Sequence, residues 1–315
     1  MNQPLPRVSV LMAVFNTAGY LQEALGSISS QSFTDFELVV VDDGSTDGST
    51  RILEAFAAKE PRMRLIAREN RGLIATRNEL LQTAKGALIA WMDSDDMSTP
   101  NRLALQVQRF DSDHELVCLG GFAQCIDPRG ELLNIERYPL LHQDILSEQQ
   151  KGGGMRFPTT MMRKDSAIGV GGFREPLRIG EDFDLCLRLS EAGFMANLPD
   201  TIYFYRQHLS SVCAVLGPRW IAYRDAILAL AHERKTLGTD KLQRGEMLKI
   251  DTPAIENVKP YEARIFIRWA TAAMQNNNTS LAWKYTLASL VKQPTSREGW
   301  KTVLRILIPK LRKPV

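Results

Sequence analysis

Hydrophobic positions follow two alternating patterns over the first two thirds of the chain. Short, nearly unbroken apolar runs occur in residues 7–16, 36–43, 62–69 and 87–92. Runs of this kind, rich in Val, Leu and Ile, read as strands buried on both faces. Between them apolar residues recur at helical spacing, as with Leu21, Leu25 and Ile28 in 17–31. Segments 47–60, 72–86 and 99–113 read likewise, the last with Pro100 in its first turn. A further strand is expected over 115–127. Strands alternating with helices imply a mainly parallel sheet with right-handed crossovers.

The pattern weakens from about 128 to 180, where 151–163 reads as a loop followed by a short strand. Residues 180–193 form a convincing helix with Phe183, Cys186, Leu187 and Leu189 at inward positions, and 196–208 reads as a strand with its exit loop. Beyond 217 the text turns helical, with amphipathic segments in 218–236, 262–275 and 281–293. In 299–315, Trp300, Val303, Leu304, Leu307, Ile308 and Leu311 keep helical spacing, and Pro309 interrupts it. Two regions are therefore expected, 1–216 and 217–315.

Charge sharpens that division. The formal net charge of the 315 residues is +3, but residues 217–315 hold 18 Lys and Arg against 8 Asp and Glu, while 1–216 hold 21 against 28. An acidic front and a basic tail suggest two jobs. The four cysteines form no CxxC pair, so no zinc site is signalled and a reduced, intracellular protein is the simplest reading. The first residues lack the layout of a signal peptide, and no run of 18 apolar residues suggests a membrane span.

The candidate chemistry sits at two strand ends. Asp42 and Asp43 close one apolar run; Asp93, Asp95 and Asp96 close another. Ligands of open α/β sheets bind outside the carboxyl ends of the strands. Carboxylates there cost free energy unless solvated, paired or bound to a metal. Three together, with no cationic run nearby, favour Mg2+ or Mn2+ and a phosphate-bearing ligand. The competing reading is a helix N-terminus capped by Asp95, Asp96 or Ser98. Neither a GxGxxG after the first strand nor a GxxxxGK[ST] is present, which disfavours nicotinamide dehydrogenases and P-loop NTPases.

Six stretches in order, VSVLMAVFN, QSFTDFELVVVDDGSTDGS, ENRGLIATRN, AKGALIAWMDSDD, GGF and GEDFDLCLRL, cover roughly residues 7–210. In this the chain resembles a family 2 glycosyltransferase of the GT-A fold. The resemblance implies a nucleotide-diphospho-sugar transferase fold, a mainly parallel sheet flanked by helices with a C-terminal helical appendage. It implies a nucleotide-sugar half at about 1–127 and an acceptor half at about 128–216. The activity implied is metal-dependent, inverting transfer from a nucleotide-sugar, usually a UDP-sugar, to an acceptor hydroxyl, in cell-surface polysaccharide or glycolipid synthesis.

Residue by residue, the resemblance puts Asp42 on the nucleoside base, with Asp43 orienting the turn, and Phe15 or Thr17 against the base. Arg71 and Arg77 fall where basic residues reach the base or diphosphate. Asp93-Ser94-Asp95 match the DxD motif, with Asp93 on ribose or metal, Ser94 beside the donor and Asp95 on the metal, Mn2+ or Mg2+. Asp96 is left as the helix cap. Asp182 is implied as general base, with Glu181 orienting the acceptor. In YRQHLSSVC, Arg206 would meet the diphosphate and His208 would be a further metal ligand.

The partners implied are a nucleotide-sugar donor and a glycan or lipid-linked acceptor, with no nucleic acid. The basic tail reads either as peripheral contact with the cytoplasmic membrane face or as a packed appendage or dimer contact. The expected location is cytoplasmic. Two rival readings stand beside the transferase: a nucleotidyltransferase acting on sugar phosphates, and a catalytically silent nucleotide-sugar-binding subunit.

Overall fold

The computed structural model describes residues 5–211, 214–215, 217–252 and 258–308. Pro309, Leu311 and Cys213 lie outside them. Among the described residues nine strands form one sheet: β1 (Val8–Val14), β2 (Phe36–Asp43), β3 (Met63–Arg68), β4 (Leu88–Asp93), β5 (Met97–Ser98), β6 (Leu116–Ile126), β7 (Leu132–Glu136), β8 (Met161–Arg163) and β9 (Phe194–Arg206). Their order is β3-β2-β1-β4-β8-β6-β9-β5, with β7 paired to β6. The β3-β2-β1-β4 side is parallel. From β4 onward the β4–β8, β8–β6 and β5–β9 pairings are antiparallel.

The helices are α1 (Ala18–Ser29), α2 (Ser49–Ala57), α3 (Leu73–Thr83), α4 (Arg102–Ser112), α5 (His142–Gln149), α6 (Lys164–Gly169), α7 (Glu181–Ala192), α8 (Trp220–Leu237), α9 (Val258–Gln275), α10 (Thr279–Lys292) and α11 (Arg297–Leu307). The expected strand–helix alternation through α4 is present, as is the helix over 180–193. Four short elements were not expected: β5, β7, α5 and α6. They are two to eight residues long, too short for a period to declare itself.

Chain contacts group the residues into two units. The first comprises Met1–Ala123, Arg137–Phe204 and Ala222–Ile250; the second comprises Gln124–Glu136, Tyr205–Ile221 and Asp251–Val315. Most of α8 thus belongs with the sheet-bearing unit, on the far side of the position 216 marked by the change in sequence pattern.

In the first unit, Leu11, Val39, Val41, Ile89 and Trp91 meet Leu80 and Leu81 of α3 and Leu185 and Leu189 of α7 in one apolar core. Every residue of β2 is buried, as its unbroken apolar run requires. The turn after β2 needs glycine. Gly44 has φ +79°, and a Cβ there would lie 2.7 Å from the backbone nitrogen of Asn70.

The second unit has its own core, built on Ile265, Trp269, Ala273, Leu281 and Tyr285. The Trp269 and Tyr285 rings meet edge to face with centroids 4.9 Å apart. Buried Asp127 accepts hydrogen bonds from Tyr285 Oη at 2.5 Å and Lys284 Nζ at 2.8 Å, tying the strand turn to α10.

Candidate active site

The carboxyl ends of β1, β2 and β4 come to one edge of the sheet. Val14 pairs with Asp42, and Ala13 pairs with Asp93, so the acidic residues of two strands flank β1. The turns leaving these strands are fastened to one another. Thr17 Oγ1 donates to Ser94 Oγ at 3.0 Å, and Thr17 N donates to Ser49 Oγ at 3.1 Å. Asn16, at φ 54°, accepts the Thr46 N–H on Oδ1 at 2.8 Å. A non-glycine residue in the left-handed region is uncommon, and Asn is among the types that tolerate it.

The two aspartates of β2 have separate local tasks. Asp42 is buried and accepts from Ser45 N at 3.0 Å and Thr50 Oγ1 at 2.5 Å. Asp43 pairs with Arg68 and accepts from Arg71 N at 2.8 Å and Gly72 N at 2.9 Å. It therefore orients the loop that leads into α3, whereas the turn at Ser45, expected to be Asp43's, is held by Asp42. The side chain of Arg71 is exposed, and that of Phe15 is 51% exposed.

Carboxylate oxygens of Asp93, Asp95 and Asp96 lie within 4.8 Å of one another. Helix capping does not account for them. α4 starts at Arg102 with Asn101 before it, and no side chain caps it. The expectation that Asp96 caps this helix is overturned for a definite reason. The residues after Asp96 are claimed by β9: Met97 pairs with Phe204 and Ser98 with Tyr203, and Thr99 N donates to Ile202 O at 3.0 Å. The helix can begin only after that pairing ends.

Behind the cluster lies Arg102, fully buried, a residue the motif reading missed. It donates to Trp91 O at 2.8 Å, Thr160 O at 3.2 Å and Ser98 Oγ at 3.0 Å. Burial pulls its pKa down to about 10, against the opposing pull of Tyr203, Asp93 and Asp96, so it stays charged at neutral pH. Tyr203 is the other missed neighbour; its hydroxyl accepts from Asp93 N at 3.1 Å.

Arg77 of α3 joins two motifs that are far apart in sequence. Its Nη1 donates to Glu181 Oε1 at 2.6 Å, and its Nη2 lies 3.6 Å from Asp93 Oδ1. The guanidinium stacks over the rings of Phe157 and Phe173, at 5.0 and 5.5 Å from their centroids. Those rings pack on Trp91. Arg77 is thus a buried bridge, not a surface cation.

Asp182 stands in the first turn of α7 beside Glu181, after Gly180 at φ 75°. Acidic residues there are favoured by the helix dipole. Acidic neighbours also raise the proton affinity of Glu181 and Asp93. Burial pushes Glu181 up to about 7, Arg77 opposes this, and the charges of Asp182 and Asp93 add to it. Asp93 keeps 37% of its side-chain surface, yet the protein around it is dense. Desolvation leads in pushing it up to about 6; Arg77 opposes, and Asp95 and Asp182 reinforce.

Two sequence candidates belong to the second unit. Arg206 is buried and donates to Pro128 O at 3.3 Å. His208 is buried, with Nδ1 2.8 Å from Ser210 Oγ.

The description "Glycosyl transferase family 2" fits residues 9–171, more than half of the chain. The chain belongs to glycosyl transferase family 2. EpsE of Bacillus subtilis is 35% identical over 207 residues, which cover 64% of this chain and 73% of EpsE. Chondroitin synthase of Escherichia coli is 30% identical over 190 residues, 60% of this chain, and the match spans 27% of that protein. Among solved structures, Staphylococcus aureus TarS 1–349 in complex with UDP-GlcNAc has a TM-score of 0.55 at 18% identity, covering 95% of this chain and 90% of that one. A mannosyltransferase from Pyrobaculum calidifontis in complex with GDP-Man and Mn2+ has a TM-score of 0.52 at 19% identity, covering 99% and 82%. The family 2 chain thus shares the GT-A fold of these neighbours.

Proposed function

We propose that this family 2 protein is a metal-dependent, inverting glycosyltransferase. It takes a sugar from a nucleotide-diphospho-sugar, a UDP-sugar first among candidates, and passes it to an acceptor hydroxyl in cell-surface polysaccharide or glycolipid synthesis, working in the cytoplasm. One observation carries the reading: three clustered carboxylates at a sheet edge, next to the Arg77–Glu181 bridge and Asp182.

The donor set suits the metal. It is all oxygen, and Asp93 and Asp95 are partly exposed, which favours a hard divalent ion that also takes phosphate oxygens. Asp93 and Asp95 would hold Mn2+ or Mg2+. When bound, the ion would offset charge on the diphosphate leaving group.

The remaining steps belong to the chain's own side chains. Asp42, with Phe15 or Thr17, holds the base; Ser94 lies beside the donor; Arg71 is the candidate diphosphate cation. Asp182 accepts the acceptor hydroxyl proton as that oxygen attacks the anomeric carbon in line. The bond from that carbon to the diphosphate oxygen breaks, and its electron pair leaves with the diphosphate. Glu181 orients the acceptor side of the site and keeps Arg77 fixed beside Asp93.

A screen of UDP-, GDP- and dTDP-sugars with Mn2+, reading release of the free nucleoside diphosphate, tests this without a known acceptor. Release from one donor class, lost in Asp182→Asn with donor binding retained, is expected. Pyrophosphate as the product would support a nucleotidyltransferase instead. Binding without turnover across all donors and simple acceptor sugars would support the silent subunit.

A further inference from the structure

The second unit exposes an apolar face that its own fold does not use. α11 is divided lengthwise. Gly299, Thr302 and Ile306 are buried, while Trp300, Leu304, Leu307 and Ile308 are 56%, 50%, 62% and 46% exposed. Spacings of four and three residues place Trp300, Leu304 and Leu307 on one stripe of the helix, and Ile308 follows at its C-terminal end. Arg297, Lys301 and Arg305 run along one border of it at four-residue intervals.

The helix is well anchored. Ser296 accepts the Gly299 N–H at 3.1 Å, and Trp300 Nε1 donates to Pro294 O at 2.9 Å. α11 meets α10 closely at Gly299, where a Cβ would lie 2.7 Å from Leu290 Cδ2. On either side of Leu290 along the sequence, Leu287 and Val291 of α10 are also exposed.

Close to the start of α11 is a cleft of about 540 Å³ lined by Arg264, Arg268 and Arg297, with Ile267, Gln293, Thr295, Ser296 and one carboxylate, Glu298. None of these three arginines has an ion-pair partner among the described residues. Glu298 is itself paired with Lys301, so three guanidinium groups leave the concavity net positive and suited to an anion, and their planar forks match phosphate oxygens. An apolar stripe alone would also suit a second copy of the chain. A symmetric contact through this face, however, would bring the same basic borders together, whereas a polyanionic surface would meet both features at once.

We infer that α11 and the adjoining arginine cleft dock the protein on an anionic lipid bilayer, the stripe entering the headgroup–acyl boundary and the cleft taking headgroup phosphate. No described helix is long and apolar enough to cross a membrane, and an eleven-residue helix with one apolar face lies in the interface plane. Lys310, Arg312 and Lys313 follow in the sequence and add to the positive charge. The inference rests on the proposed function only in giving the docking a purpose, access to a lipid-linked acceptor.

The test is co-sedimentation of the full chain with phosphatidylcholine vesicles, with and without phosphatidylglycerol. Trp300→Ser/Leu304→Ser and Arg264→Gln/Arg268→Gln/Arg297→Gln variants are run alongside, with circular dichroism to verify folding. Wild type should bind the anionic vesicles and lose binding as salt rises. The apolar variant should bind at least about tenfold more weakly. Each arginine removed should cost roughly fivefold on anionic vesicles and little on neutral ones.

Equal binding to both vesicle types, or none to either, overturns the inference. So does a wild-type dimer that the apolar variant turns into a monomer. Donor hydrolysis in solution should be unchanged in both variants. Vesicle binding by a protein that turns over no donor would therefore reject the proposed function and leave the docking intact.

Discussion

The two units treat much of their charge differently, though Asp127 and Arg206 of the second are buried as well. In the first, ionised groups are buried and bonded to one another: Arg77 with Glu181 and Asp93, and Arg174, Asp184, Arg188, Arg234 and Asp240 in a network sunk beneath the surface. In the second, many charged side chains face solvent, as in the Lys301–Glu298 pair on α11. Buried pairs are costly to assemble and worse to break, whereas exposed pairs contribute little. A chain therefore keeps buried charge where geometry must be fixed, and surface charge where a partner is to be met. On this view the first unit's acidic strand ends are a rigid site and the second unit's basic helices are a contact surface.

The buried network also bears on α7. Asp184 receives hydrogen bonds from both Arg174 and Arg188, and Arg174 also reaches Asp240. Arg188 in turn donates to Gly172 O at 2.7 Å, next to Phe173, whose ring lies under Arg77. The turn of helix that carries Glu181 and Asp182 is thus held from several directions.

The largest effect that can break the contrast is chemical. Asp182→Asn should lower turnover about a thousandfold, leaving nucleotide affinity within a few-fold, as read by steady-state kinetics beside equilibrium binding. Undiminished turnover would remove Asp182 from the base role. Next comes Arg77→Met, which leaves Glu181 and Asp93 without their bridge. It should destabilise the first unit by about 3 kcal/mol in urea unfolding. Pairing it with Glu181→Gln should recover part of that loss, and no recovery would show that the two groups are not coupled.

A smaller effect is expected from pH. The folded-state pKa of Glu181 is raised from 4.5 to about 7, so the native state binds the extra proton. Its contribution to stability is fully present below pH 4.5 and is lost as pH rises through about 7. In metal-free protein the loss should be on the order of 2 kcal/mol. Glu181→Gln should flatten the unfolding free energy over that window, and an unchanged slope would mean the carboxyl is not protonated in the fold. The smallest effect belongs to the second unit: Lys301→Gln should change stability by no more than about 0.5 kcal/mol. A cost near that of Arg77→Met would erase the distinction between the units.

Much of this was legible in the sequence, for reasons that differ by element. β1, β2 and β4 announced themselves because both faces are buried, and the acidic pairs stood out because they end apolar runs. Asp96 was misread as a cap because a Pro100 helix start looked sufficient. The pairing of Met97 and Ser98 with β9 involves residues about a hundred positions away, which no local pattern carries. Arg77 meeting Glu181 is hidden for the same reason, at a separation of 104 residues. Only the Asp184–Arg188 spacing of four gave a local hint of the buried network.

The central claim is that Asp93 and Asp95 hold a divalent ion against a nucleoside diphosphate. Calorimetric titration of UDP into the full chain, with and without Mn2+, tests it most directly. UDP should bind tightly with Mn2+ and at least about tenfold more weakly without it, and Asp95→Asn should abolish the difference. UDP binding that is indifferent to Mn2+ in wild type, or an Mn2+ enhancement that survives in Asp95→Asn, would contradict the account.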